Sequence, residues 1–148
     1  MDNKICCFAG HNQNYTDLER EMIRNEIIDL IENYGITTFW VGNYGGFDRI
    51  CSSILNEIKK DFPEIEIVLV IPYLTKSITE NKNWYLRQYD GIINSNIPNT
   101  PKRYQIIKTN EYMINNSYAI ICYVSHTWVP TVETTAIRFP RSSVTLIS

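Results

Sequence analysis

A glycine-rich stretch at residues 37–49 constrains the fold of this chain more than any other part of the sequence. The stretch opens with five β-branched or aromatic residues, TTFWV, a composition typical of β-strands. Glycines follow at positions 42, 45 and 46, and apolar residues then recur at helical spacing from Phe47 to Ile58. A strand, a glycine turn and a helix in this order predict part of a βαβ unit.

The junction between this turn and the helix is a predicted site for an anion. Glycine lets the backbone approach a ligand closely and adopt a positive φ. The N–H groups of the first helical turn, together with the helix dipole, favour a phosphate or a carboxylate at that point. A tight turn that binds nothing is the alternative, and the glycines alone favour neither interpretation.

The residues before this stretch predict a first strand and a first helix. Residues 4–9 are a predicted buried strand that ends at Gly10, and Thr16 and Glu19 form a capping box that opens a helix. The helix is predicted to run to about residue 33, with Gly35 as its C-cap. Its apolar stripe, predicted to face the core, consists of Leu18, Met22, Ile23, Ile27, Leu30, Ile31 and Tyr34.

The alternation of strand and helix signals continues downstream. The second helix is predicted from Phe47 to Lys60, and residues 65–71 form a continuous apolar strand, as expected in the middle of a parallel sheet. A helix over residues 102–116 and a strand over residues 118–124 follow. The pattern predicts one α/β domain over residues 1–148, a three-layer Rossmann-like fold with a mostly parallel central sheet. The predicted apolar points of the last helix are Tyr104, Ile107, Met113 and Ile114.

Residues 75–101 show no clear periodicity apart from a strand-like piece at residues 90–93. A long irregular segment at the carboxyl edge of a sheet is often a functional lid. A plain surface loop is the alternative, and the sequence does not separate the two.

The bulk composition narrows the function classes. A formal net charge of -2 without a long basic run argues against a dedicated nucleic-acid surface. No apolar run approaches the roughly 20 residues that cross a bilayer, and the N-terminus lacks a secretory signal pattern. We therefore expect a cytoplasmic protein with no membrane partner.

The four cysteines and two histidines give no metal-binding pattern. The cysteines lie in apolar stretches at spacings that match no zinc site, so we expect buried free thiols. The sequence predicts neither a metal nor a cofactor. The cysteines are Cys6, Cys7, Cys51 and Cys122.

Four motifs occur in a fixed order along the chain. Residues 8–11 read FAGH after the first strand, and residues 41–48 read VGNYGGFD. A long strand ends at Pro72, and residues 110–117 read NEYMINNS ahead of the next strand. Over residues 4–128 this combination resembles the YpsA-like proteins of the SLOG superfamily, which groups DprA-type proteins with the LONELY GUY phosphoribohydrolases.

The resemblance implies a pocket for a nucleotide or a nucleotide-derived ligand, used by a sensor or regulatory module. The chain lacks the Pro-Gly-Gly-x-Gly-Thr-x-x-Glu motif of the LONELY GUY enzymes, which argues against phosphoribohydrolase activity. A hydrolase or transferase acting on a nucleotide N-glycosidic bond is the alternative, with Asp48 or Glu111 as its acidic residue. Single-stranded DNA binding, as in the DprA branch, is a further alternative that the negative charge opposes.

The candidate residues lie at predicted strand exits, where open α/β sheets bind ligands. The alternative roles for His11 are contact with a phosphate, acid or base chemistry, and a hydrogen bond to a neighbouring loop. For Asp48 they are capping of its helix and a hydrogen bond to a ribose hydroxyl. For Arg103 they are neutralisation of a phosphate and a solvated position at the helix start. No catalytic residue is assigned. The predicted ligand-binding set is Gly10, His11, Gly42, Asn43, Tyr44, Gly45, Gly46, Asp48, Tyr73 and Ser125.

The tail after Trp128 departs from the family pattern. YpsA-like proteins continue with small residues that open a final helix, whereas Val129-Pro130-Thr131 follow here. Codons for Trp-Val-Pro-Thr can encode Gly-Ala-Tyr in a shifted frame. We hypothesise that residues 129–148 are a frameshifted form of that helix, although residues 144–147 fit a short strand. Sequencing the gene tests this, since stops in the shifted frame would exclude it.

Aromatic residues such as Trp84 and Trp128 are predicted to be exposed, which is compatible with a homodimer.

Overall fold

The computed structural model describes residues 4–10, 14–97, 101–123 and 143–147. Its strands and helices are, in chain order, β1 (Ile5–Gly10), α1 (Asp17–Tyr34), β2 (Thr38–Val41), α2 (Gly46–Ile58), β3 (Glu66–Ile71), α3 (Lys76–Glu80), α4 (Lys82–Gln88), β4 (Gly91–Asn94), α5 (Lys102–Asn115), β5 (Ala119–Tyr123) and β6 (Ser143–Ile147).

The strands form one sheet in the order β4-β3-β2-β1-β5-β6. Every neighbouring pair is parallel, so the prediction of a mostly parallel sheet is confirmed. Strands β2, β3 and β4 are added on one side of β1, and β5 and β6 on the other. The order therefore reverses between β1 and β5, the kind of switch point at which open α/β sheets bind ligands. Strand β3 is interior, as its apolar sequence predicts, but β1 and β2 lie at the centre.

Helices cover both faces of the sheet, which confirms the three-layer α/β prediction. On one face, Cys6 and Phe8 of β1 pack in a large core with Ile27 of α1 and Ile54 of α2. On the other face, Cys7 of β1 packs with apolar residues of α5. The alternation of consecutive β1 residues between the two cores follows from the two-residue period of a strand.

Helix α1 begins and ends at the predicted signals. The N–H of Glu19 donates to Thr16 Oγ1 at 3.1 Å, and the N–H of Thr16 donates to Glu19 Oε1 at 2.8 Å, which completes the capping box. Gly35 ends the helix with φ 68°. The predicted stripe is wrong at its two ends, because Leu18 and Tyr34 are exposed. An 18-residue helix is about 27 Å long and reaches past strands of about 20 Å.

The prediction of an irregular segment is wrong for residues 76–88, where the chain forms α3 and α4. Thr75 caps α3 by accepting a hydrogen bond from the N–H of Ile78 at 3.2 Å. Helix α4 has no buried residue, which explains why its sequence carries no apolar period. The strand-like piece is confirmed as β4, which Asp90 fixes beside β3 by accepting from the N–H of Ile67 at 2.8 Å. A lid formed by this segment is therefore not supported.

The predicted apolar points of α5 are confirmed at Met113 and wrong at Tyr104 and Ile107. Gln105, Thr109 and Met113, spaced four residues apart, are buried, whereas Tyr104 and Ile107 are exposed. The hydroxyl of Thr109 donates to the carbonyl of Gln105 at 2.7 Å, so the burial of this hydroxyl is compensated within the helix.

The four cysteines are free and buried, as predicted. Within the described part of the chain, no helix combines the length and the apolar character needed to traverse a lipid bilayer.

Candidate functional site

The exits of β1, β2 and β3 lie along one edge of the sheet, as expected for parallel strands. Gly10 ends β1, Gly42 follows β2, and Tyr73 follows β3. The β1–β2 register pairs Cys7 with Trp40, so the two glycine-containing exits leave the sheet side by side. We call this edge the carboxyl rim.

Asp48 organises the glycine turn from its inner side. Its Oδ2 atom accepts a hydrogen bond from the N–H of Tyr44 at 2.9 Å. A Cβ atom placed on Gly42 would lie 3.0 Å from the same oxygen, so a glycine at this position leaves room for the carboxylate. In a capping box, the side chain of the third helical residue accepts a hydrogen bond from the N–H of the N-cap residue. Asp48 instead accepts from Tyr44, the residue before the N-cap Gly45, so the predicted cap is displaced by one residue.

Gly45 is the N-cap of α2 and adopts φ 111° and ψ -173°. Residues with a Cβ atom rarely adopt this conformation, so the turn depends on glycine here. Because the N-cap residue is a glycine, it makes no side-chain hydrogen bond to the first turn of the helix. Asp48 is the acidic residue of that turn. The start of α2 therefore faces the carboxyl rim with a backbone-lined turn.

The environment of the turn raises the pKa values of two titratable side chains. Burial raises the pKa of Asp48 from 3.8 to about 6, and the hydrogen bond from Tyr44 and the charge of Arg49 oppose this only in part. Burial, and to a lesser degree Tyr73 and Asp48, raises the pKa of the Tyr44 hydroxyl to about 12. Asp48 can therefore exchange a proton near neutral pH, a property common in functional sites.

Tyr73 and the first turn of α5 meet at the same rim. Gln105 Nε2 donates to the hydroxyl of Tyr73 at 3.4 Å. Lys102 and Arg103 of the same helical turn are exposed, and no ion pair among the described residues includes either of them. Gln105 was not among the residues predicted from the sequence. The signal that could have indicated it is its spacing, because Gln105, Thr109 and Met113 follow one another at four-residue intervals.

Gly10 serves packing. A Cβ atom on Gly10 would lie 2.5 Å from Cγ of Phe47, so the aromatic ring occupies the space that a side chain would need. Tyr15 also packs against this ring, with centroids 5.6 Å apart. Gly10 thus makes room for an aromatic contact, and no observation beyond its position supports a ligand role for it.

The remaining predicted residues are not all at the rim. Glu111 is exposed, pairs with Lys108 at 3.4 Å, and lies about 14 Å along α5 from Lys102. It is therefore wrong as an acidic residue for the rim. His11 and Ser125 lie outside the described residues.

The comparison with known families agrees with this geometry. A family model named YpsA, described as YspA SLOG family, matches residues 2–128. The chain belongs to this family. The match to the YpsA model ends at Trp128, and the frameshift of the tail stays a prediction. Part of that tail, β6, nevertheless pairs with β5 over five residues. No curated protein matches the chain significantly.

Proposed function

We propose that the protein binds a nucleotide or a nucleotide-derived ligand at the carboxyl rim, as a sensor or regulatory module. The observation that carries the proposal is the position of the glycine turn. It opens α2 with a glycine N-cap at φ 111° and lies beside β1, the strand at which the sheet order reverses. Membership of the SLOG family supports the same class of ligand.

The charges around the rim support an anionic ligand. Lys102 and Arg103 lie in the first turn of α5, which contacts the exit of β3 through Gln105 and Tyr73. Asp48 opposes an anion when it is ionised, but its pKa of about 6 lets it take up a proton at modest cost. Ligand binding and the protonation of Asp48 should therefore be coupled.

A thermal-shift and calorimetric panel tests the proposal. The probes are AMP, ATP, ADP-ribose, ribose 5-phosphate and inorganic phosphate, and we expect at least one nucleotide to raise the melting temperature, because it binds only the folded state. Gly45→Ala should weaken that binding at least tenfold by forcing the turn out of its conformation.

Gly35→Ala is the matched control. Gly35 also has a positive φ, at the far end of α1, and apart from its two chain neighbours no described residue comes within 4 Å of the position that a Cβ atom would take there. Its substitution should therefore cost stability without changing affinity. The proposal fails if no nucleotide binds, or if Gly45→Ala and Gly35→Ala affect affinity equally.

One observation favours a second candidate function, cleavage or transfer at a nucleotide N-glycosidic bond. A general acid works best with a pKa near the operating pH, and Asp48 is a rim carboxyl group whose pKa is raised to about 6. Incubation with nucleotides should then release free base, measured by chromatography. Asp48→Asn should abolish the release, because the amide cannot transfer the proton. Binding without base release would leave the sensor function alone.

A further inference from the structure

The outward side of α2 forms a groove with α4 that the carboxyl rim does not include. Its volume is about 410 Å³, within the range of roughly 300–1,000 Å³ typical of small-molecule sites. Residues of α2 line one wall, and residues at and after α4 line the other. We call this the α2–α4 groove.

The groove begins at the glycine turn. Asn43 of the turn and Arg49, the fourth residue of α2, both line it, and Lys60 lines its far end. Arg49 and Lys60 are about 16 Å apart along the helix axis. A ligand whose phosphate lies at the start of α2 can therefore extend into this groove without crossing the sheet.

An aromatic wall faces the groove. Trp84 is 49% exposed although its ring packs edge-on against Tyr85, with centroids 4.9 Å apart and an interplanar angle of 88°. Tyr85 in turn stacks on Tyr89 at 6.4 Å. The indole of Trp84 thus packs against Tyr85, while about half of the surface of Trp84 stays exposed to solvent. This exposed aromatic surface suits stacking against a flat ring.

Hydrogen bonds between the two walls fix the distance between α2 and α4. The hydroxyls of Ser52 and Tyr89 are 3.0 Å apart. Asn56 Nδ2 donates to the carbonyl of Gln88 across the groove at 3.2 Å, and to the carbonyl of Ser52 within α2 at 2.9 Å. Because the Ser52–Tyr89 and Asn56–Gln88 contacts join α2 to the end of α4, little ordering is needed when a ligand enters, which favours affinity.

The charge of the groove favours an anionic ligand. Glu57 pairs with Arg20 of α1. In the part of the chain that the structure describes, no ion pair includes Arg49 or Lys60. The two cations therefore leave the groove with a positive excess.

We propose that the α2–α4 groove holds the base of a nucleotide whose phosphate lies at the glycine turn, with the base stacked on Trp84. This inference rests on the proposed function and adds the position of the base. Stacking of a base on an aromatic side chain contributes about 1–3 kcal/mol, so removing the indole should weaken binding roughly 5- to 150-fold.

Binding of AMP and of ribose 5-phosphate, which lacks a base, tests the proposal by calorimetry. Wild-type protein should bind AMP more tightly than ribose 5-phosphate. Trp84→Ala should reduce AMP affinity to that of ribose 5-phosphate without changing the latter, and Trp84→Phe should retain most of the preference. Tyr34→Ala, which removes an exposed aromatic ring from the end of α1 far from the rim, is the control and should change neither affinity.

The outcomes separate this inference from the proposed function. If AMP and ribose 5-phosphate bind equally to wild type, or if Trp84→Ala keeps the preference for AMP, the base does not occupy the groove, although the rim still binds phosphate. If neither compound binds, both the rim site and the groove assignment are overturned.

Discussion

The exits of β1 and β2 are neighbours that both need glycine, yet different chemistry fills the space at each. At Gly10 the space is occupied by the ring of Phe47, and at Gly42 it is occupied by the carboxylate of Asp48. The two side chains are consecutive residues in the first turn of α2. One helical turn therefore packs an aromatic ring against the first exit and places a partly buried carboxylate against the second. The first arrangement favours stability, whereas the second lowers it and keeps a titratable group at the rim.

The largest expected effect concerns the apolar exit. Gly10→Ala places a methyl group 2.5 Å from Cγ of Phe47, and the ring has to move. We expect the free energy of unfolding to fall by about 3 kcal/mol, at the upper end of typical overpacking costs. Urea denaturation of the wild type and the variant measures the difference.

Two further variants sharpen that result. In a Phe47→Leu background the cost of Gly10→Ala should drop to about 1 kcal/mol, because a smaller side chain leaves room. Gly91→Ala in β4 places its methyl group more than 4 Å from the described residues around it and should change stability by less than about 0.5 kcal/mol. A Gly10→Ala variant as stable as wild type would contradict the role of Phe47.

The next effect concerns the charged exit. The pKa of Asp48 rises from 3.8 to about 6 on folding, so the folded state favours the protonated acid. This contribution to stability is fully present below pH 4 and is lost as the pH rises through 6. At pH 7 the ionised group lowers the free energy of unfolding by at most about 3 kcal/mol.

Asp48→Asn should remove this cost. We expect the variant to be more stable than wild type by about 2 kcal/mol at pH 7 and to lose that advantage at pH 4. Since other carboxyl groups titrate in both proteins, the relevant quantity is the difference between the two denaturation curves at each pH. A difference that does not vary between pH 4 and pH 7 would show that the pKa of Asp48 is not raised.

A smaller effect is expected for Gly42→Ala. The methyl group would lie 3.0 Å from Asp48 Oδ2 and push the carboxylate from the N–H of Tyr44. Loss of this bond and the crowding should together cost about 1–2 kcal/mol of unfolding free energy. In an Asp48→Ala background the same substitution should cost almost nothing, and equal costs in both backgrounds would argue against the contact.

The smallest effect is a proton linked to ligand binding. A phosphate bound near Asp48 raises its pKa further, so binding takes up a fraction of a proton near pH 7. Calorimetry of AMP binding in two buffers of different ionisation enthalpy measures this uptake. Asp48→Asn is the control that removes the contribution of Asp48 while keeping that of the phosphate itself. Equal proton uptake by both proteins would show that the ligand does not lie near Asp48.

Much of the fold could be predicted because its signals are local. The capping box of α1, its glycine C-cap and the helical spacing after Phe47 are all readable within a few residues, and all are confirmed. Helices α3 and α4 were missed because they are short and α4 buries no residue, so no apolar period marks them. The central position of β1 also depends on β5, a strand far along the chain.

The strand exits that form the carboxyl rim were predicted in position, their internal contacts were not, and the ligand-binding role of their residues stays a prediction. Strand exits with glycines indicate the carboxyl rim from the sequence alone. That Phe47 fills the space at Gly10 could not be predicted, because 37 residues separate them and only the β1–β2 pairing brings them together. The bond from Tyr44 to Asp48 spans four residues, and its signal was a carboxylate placed just after a glycine turn.

The position of β1 also matters while the protein is being synthesised. Cys6 of β1 pairs with Ala119 of β5, more than one hundred residues later. At roughly 5–20 residues per second, the ribosome needs on the order of 5–25 s to supply that partner. Throughout this interval one edge of β1 carries unpaired backbone N–H and C=O groups, to which strands of other chains can pair. Nascent chains that stop short of β5 should therefore aggregate, and a chaperone that shields β1 would be needed most in those seconds.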